Sequence, residues 1–324
     1  MKNITTSEIH FPWRWKDYFA YKRSGALRVA DFEESEYRGP LYNQLEWGNH
    51  LLWEPGQVFE KHIGIDRASM CTNSYLWSMH GFSSPLGGTL MHRRHWGFIW
   101  SRRKKRKELP NFQLNLFLQA KRPYRLSSGS KDLKAKGIKA GCWKFEITAH
   151  QQIALEKLDA KLAGDALVCY ASPSFHIQSD LYKHTISKTI VENSTFPSAK
   201  CLRNHSAWYY DQPGATGCAN PEFESIQEAG LEQRIRTLIE RSSEKFTGGE
   251  LENRESLLKL ANLVYEFVVE DGPSFASARF SEEIQYISDY VDAAGLDDNA
   301  DYVKSYLSVI AFCYFYKLQW FVIG

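Results

Sequence analysis

Apolar and polar side chains alternate most cleanly in FQLNLFLQAK, residues 112 to 121. Phe112, Leu114, Leu116, Leu118 and Ala120 share one parity; Gln113, Asn115, Phe117, Gln119 and Lys121 share the other. A period of two sends successive side chains to opposite faces of a strand. Gln119 and Lys121 therefore stand next to each other on one face, at the strand's carboxyl end. A shorter alternation, HIGID at 62–66, predicts a strand with Ile63 and Ile65 on one face and His62, Gly64 and Asp66 on the other. CWKFEI (142–147) predicts another strand. The unbroken run ALVCY (166–170) suits a strand buried on both faces.

Helical spacing first appears in LYNQLEWGNHLLW, where Leu41, Leu45 and Leu52 fall on one face. Pro40 precedes that pattern, where proline is tolerated, and Pro55-Gly56 closes it. Thr148 and Gln151 form a T-x-x-Q capping box opening a helix whose apolar positions are Ile153, Leu155, Leu158 and Leu162. Beyond about residue 222 the pattern becomes helical throughout: 224–245, 251–270, 281–294 and 300–321, broken at Gly248-Gly249, Gly272-Pro273 and Gly295. The expected fold class is α/β, with residues 1–222 forming a domain whose core is about 41–171, and 223–324 forming an all-helical interaction domain.

Composition narrows the class. Of 324 residues, 43% are hydrophobic and 24% charged, the mix of a globular protein rather than a disordered or fibrous one. A net charge of +2 does not itself indicate nucleic acid, so any basic surface must be local. One such run is Arg102, Arg103, Lys104, Lys105, Arg106 and Lys107, which suits phosphate contacts. The six cysteines contain no C-x-x-C pair, which argues against structural zinc and for reduced thiols in a cytoplasm. The apolar stretch from Tyr306 to Tyr316 is short beside the roughly 20 residues of a membrane span, so no membrane association is expected. No P-loop or G-x-G-x-x-G is present, and Ser172 and Ser174 near His176 lack a G-x-S-x-G elbow.

The chemistry concentrates at Asp66 and the Gln119-Ala120-Lys121 strand end. Phosphodiester cleavage needs a hard cation held by oxygens, a positioned water and neutralised phosphate charge. Asp66 is the first candidate ligand for Mg2+, the Gln119 amide oxygen a second, and the Ala120 carbonyl a third. Lys121 is suited to orient the water or to oppose the phosphate charge. A further acid would come from Glu46 or Glu60. Mn2+ can substitute for Mg2+ in such an oxygen site.

Taken with the element order, IGID at 63–66, FLQAK at 117–121, the preceding acidic helix and the following helix with ALVCY resemble the PD-(D/E)XK nuclease superfamily, in a Q-x-K variant. That superfamily includes restriction endonucleases and Holliday-junction resolvases. The resemblance implies a restriction-endonuclease-like mixed sheet flanked by helices and a Mg2+-dependent DNA endonuclease acting in restriction or antiviral defence. DNA is the implied partner, with a partner protein or a second copy meeting the C-terminal helices. The alternative is a catalytically inactive DNA-binding or assembly subunit of the same fold, because glutamine replaces the usual acid at position 119.

Overall fold

The computed structural model describes residues 27–45, 51–53, 68–70, 114–127, 129–138, 141–162, 164–214, 216–243, 250–271, 274–293 and 300–322. Asp66, Glu46, Glu60 and the basic run from Arg102 to Lys107 lie outside the described residues.

The described chain begins with β1 (Leu27–Val29), α1 (Glu34–Leu45), β2 (Leu51–Trp53), β3 (Ala68–Met70), β4 (Asn115–Ala120), β5 (Tyr124–Leu126) and the short α2 (Lys131–Ala135). It continues through β6 (Trp143–Glu146), α3 (Ala149–Lys161), β7 (Ala166–Pro173), α4 (Gln178–Ser187), β8 (Ser194–Thr195), β9 (Ala207–Tyr210), β10 (Thr216–Asn220) and β11 (Glu224–Gln227). Then come α5 (Leu231–Ser243), α6 (Glu250–Asp271), α7 (Ser274–Ala293), α8 (Ala300–Tyr316) and β12 (Gln319–Val322). The architecture is mixed α/β. A six-stranded antiparallel sheet has the order β1-β5-β6-β9-β10-β11, and a four-stranded mixed sheet has the order β12-β4-β7-β8. β2 and β3 pair separately. Among the described residues no helix is long and apolar enough to cross a membrane.

The parity of β4 governs the core. Leu116, Leu118 and Ala120 join Cys169 and Ala171 of β7 in one buried cluster, with Tyr37 and Leu41 of α1. Phe117 joins Val168 and Tyr170 in the other, with Leu155 and Leu158 of α3, Val264 of α6 and Phe312 of α8. The four-stranded sheet is thus covered on both faces, as expected of ALVCY. β4 and β7 are parallel neighbours in register Gln119 to Tyr170, and α3 lies in the connection between them. A parallel pair needs such a long crossover. β6 falls between them in sequence yet belongs to the other sheet, so order along the chain is not order in the sheet.

Several elements differ from the pattern reading. The first helix starts at Glu34, not Leu41, and Pro40 sits inside it. Glu36 reaches back to accept from the Glu33 N–H at 2.8 Å, the side-chain half of a capping box that opens the helix early. An interior proline costs about 3 kcal/mol or more. Here, burial of Tyr37, Leu41 and Tyr42 beside it overrides that preference. Residues 51–53, read as helix, form β2. Residues 224–227 form β11 rather than the start of a helix, and the last helix stops at Tyr316. The Leu318 N–H donates to Cys313 O at 2.8 Å and the Lys317 N–H to Tyr314 O, with Lys317 at φ 54. This Schellman-type stop turns the chain back as β12, which pairs antiparallel with β4. Trp320 stacks on Phe117 at 6.5 Å and Phe321 meets Tyr42 of α1 edge-on at 5.5 Å, so β12 joins both core clusters.

Gly217 of β10 has no room for a side chain: a Cβ there would collide with the Tyr209 carbonyl and the Trp208 indole. Gly217→Ala is expected to destabilise by about 1–3 kcal/mol, as overpacking does. A urea midpoint unchanged from wild type would rule out that close packing.

Candidate active site

The carboxyl ends of β4 and β7 lie side by side at one end of the four-stranded sheet, the usual place for a site beside parallel strands. The main chain of Lys121 is fixed there twice. Its N–H donates to Ala171 O at 2.8 Å, and its carbonyl accepts from Ser172 Oγ at 3.0 Å. Ser172 is itself buried and lies 2.9 Å from the hydroxyl of Tyr210 on β9.

The Lys121 side chain is held inside the protein, only 8% exposed. Its Nζ donates to Gln151 Oε1 at 2.8 Å and sits 5.6 Å from the Tyr170 ring centroid, within cation–π range. Tyr170 is oriented in turn: its hydroxyl donates to Gln152 Oε1 at 2.7 Å, and Gln152 Nε2 donates to Ala199 O at 2.7 Å. Thr148 does occupy the N-cap of α3, but its side chain makes no capping hydrogen bond. The expected T-x-x-Q box is therefore not formed; its glutamine holds the lysine instead.

Gln119 is 1% exposed, and its Oε1 has no hydrogen-bond partner among the described residues. A buried carbonyl oxygen left unpaired costs about 1–3 kcal/mol. A cation is the ligand that such an oxygen, with no proton of its own, is suited to receive. Ala120, the third residue of the strand end, packs its methyl into the opposite core cluster.

Glu34, the first residue of α1, supplies the acid that the described structure brings here. Burial pushes its carboxyl above the usual carboxylate range, against the pull of Lys121, Arg38, Lys317 and Arg122. Burial likewise pushes the Lys121 ammonium below the usual lysine range; Glu34 opposes that shift and Lys317 reinforces it. The strands flanking β4 are β12 and β7. Glu46 and Glu60, like Asp66 and the basic run, lie outside the described residues. Among the described residues no group of three or more His, Cys, Asp or Glu is placed to hold a metal. The five described cysteines are free thiols.

Glu34, Gln151 and Tyr170 were not singled out by sequence reasoning. Glu34 was hidden by placing the helix start seven residues late; the Glu33-to-Glu36 capping spacing was the available signal. Gln151 was assigned to the cap, and Tyr170 to the buried strand.

Glu34→Gln is expected to remove a pH dependence. The folded carboxyl binds its proton more tightly than the unfolded one, so its contribution is complete below about 4.5 and is lost as pH rises through the folded value. Wild type should therefore lose stability relative to Glu34→Gln as pH rises from 4 toward neutrality. Parallel urea-midpoint curves for the two proteins would sink this assignment.

No family model matches the chain, and no curated protein or solved structure does either.

Proposed function

We propose that this protein is a Mg2+-dependent DNA endonuclease of PD-(D/E)XK type, with the end of β4 as its catalytic edge. The observation that carries the reading is the buried Gln119 Oε1, without a hydrogen-bond partner among the described residues, two residues from a buried lysine on the same face. Gln119 Oε1, Asp66 and the Ala120 carbonyl are the oxygens assigned to Mg2+, with Glu34 joining Glu46 and Glu60 as candidates for the further acid. Bound there, Mg2+ would polarise the phosphate and acidify a coordinated water. Lys121 Nζ orients the attacking water and opposes charge developing on the phosphate. Tyr170 and Gln151 keep that ammonium aimed, and the lowered lysine pKa lets it give up a proton more readily than an exposed lysine does. The basic run Arg102 to Lys107 holds the DNA backbone. The biological setting is restriction or antiviral defence in the cytoplasm.

A second reading has its own observation. Lys121 Nζ is already engaged by Gln151, and the ligand at 119 is neutral, which also suits a DNA-binding or assembly subunit that does not cut. Purified protein with supercoiled plasmid and Mg2+ separates the two. Nicking that stops on adding EDTA supports the nuclease. DNA retention without any strand break, with Mg2+ or Mn2+ present, supports the subunit.

A further inference from the structure

The first turn of α3 holds Lys121 twice. Gln151 accepts a hydrogen bond from the ammonium, and the next residue, Gln152, holds the ring that the ammonium faces. Gln152 is 4% exposed, and both its amide protons and its oxygen are engaged. Its Nε2 donates to Ala199 O and to Glu156 Oε1, each at 2.7 Å, while its Oε1 accepts from the Tyr170 hydroxyl at 2.7 Å. Two acceptors at the nitrogen fix which way the amide faces, so the tyrosine must donate. Both acceptors are themselves tied down. The Ala199 N–H donates to Val168 O on β7 at 2.9 Å, and Glu156 Oε2 accepts from Arg203 Nε at 3.0 Å. A tyrosine hydroxyl lies on the long axis of its ring, so this bond pins the far end of Tyr170 and with it the place of the ring centre. Phe145 packs against the same ring at 5.5 Å.

We propose that Gln152 is a positioning residue of the chemical step, acting on Lys121 through Tyr170 and touching neither DNA nor metal. This rests on the nuclease reading above. A cation is attracted to a ring only while it stands over the ring face. Freeing the far end of Tyr170 removes that seat and leaves the ammonium with its single bond to Gln151.

The test compares Gln152→Met, Tyr170→Phe and the double variant in Mg2+-dependent plasmid cleavage, with urea midpoints confirming that each is folded at the assay temperature. Methionine keeps the side-chain length without the hydrogen bonds, and phenylalanine keeps the ring without its hydroxyl. Each single change should lower kcat by about 10–10²-fold and spare KM, the upper figure being the loss that a misplacement of about 1 Å brings. The double variant should cut no more slowly than the slower single one, because both changes break one link. It should also be more stable than Gln152→Met, since no tyrosine hydroxyl is left buried without its acceptor. In the same proteins labelled with 13C at lysine Cε, the Lys121 signal, identified by its absence from Lys121→Met, should move toward those of solvated lysines. A folded Gln152→Met with wild-type kcat, losses that multiply in the double variant, or kcat that recovers with its stability overturns the positioning role and leaves the nuclease reading standing. Absence of wild-type cleavage with Mg2+ or Mn2+ overturns the nuclease reading and the kinetic role with it. An unmoved Lys121 signal in Gln152→Met overturns the hold on the ammonium itself.

Discussion

Lys121→Ala is expected to lower the rate of Mg2+-dependent plasmid cleavage by about 10²–10³-fold, the usual loss when one preorganised charge-stabilising donor is removed. The size follows from burial. Lys121 Nζ sits over the Tyr170 ring and against Gln151 Oε1, held in place before substrate arrives. A solvated lysine would have to give up water and flexibility at each turnover, and its removal would cost less. Alanine also leaves a void and takes a neighbouring cation from Glu34. Lys121→Met separates chemistry from folding, because it keeps most of the buried volume and avoids burying an ammonium. Its urea midpoint should stay near that of wild type while cleavage falls as far as in the alanine variant. Cleavage by Lys121→Met at the wild-type rate, measured as nicked plasmid per minute, would remove Lys121 from the mechanism.

Phe117→Ala is expected to destabilise the fold by about 3–5 kcal/mol, the range for deleting a fully buried aromatic ring. Phe117 is 0% exposed and points to the same face as Gln119 and Lys121. It stacks on Trp320 at an interplanar angle of 10°, and the Trp320 indole N–H donates to Asn115 Oδ1 at 2.7 Å. The ring therefore supports the β4–β12 ladder as well as the contact with the helices. Phe117→Leu keeps most of the volume and should cost less than the alanine change. Urea unfolding with a shared slope for all three proteins measures both differences. A loss below about 1 kcal/mol for the alanine variant would mean that β12 and β4 are not joined through this ring.

Much of the central sheet was readable in the pattern of residues. The alternation at 112–121 placed Leu116 and Leu118 opposite Phe117, and those residues lie in two different core clusters. The strand at Trp143, the helix after Thr148 and the buried strand at Ala166 appear where periodicity put them. The start of α1 was misread because Pro40 normally stops or opens a helix, and only the burial of Tyr37 and Leu41 makes it tolerable in the middle. β12 was misread because Gln319 to Val322 continues an apolar helical run. What makes it a strand is the free edge of β4, about 200 residues earlier in the chain.

By itself the sequence determined which side chains share a face of β4, because strand parity is a local property of the backbone. It thereby paired Gln119 with Lys121. Only the tertiary structure decided what surrounds them: Glu34 from a helix starting earlier than its pattern, Gln151 drawn from its cap, and the Tyr170 ring. Those neighbours depend on pairings between distant segments, whose energies come from burial and electrostatics that no short window of sequence contains.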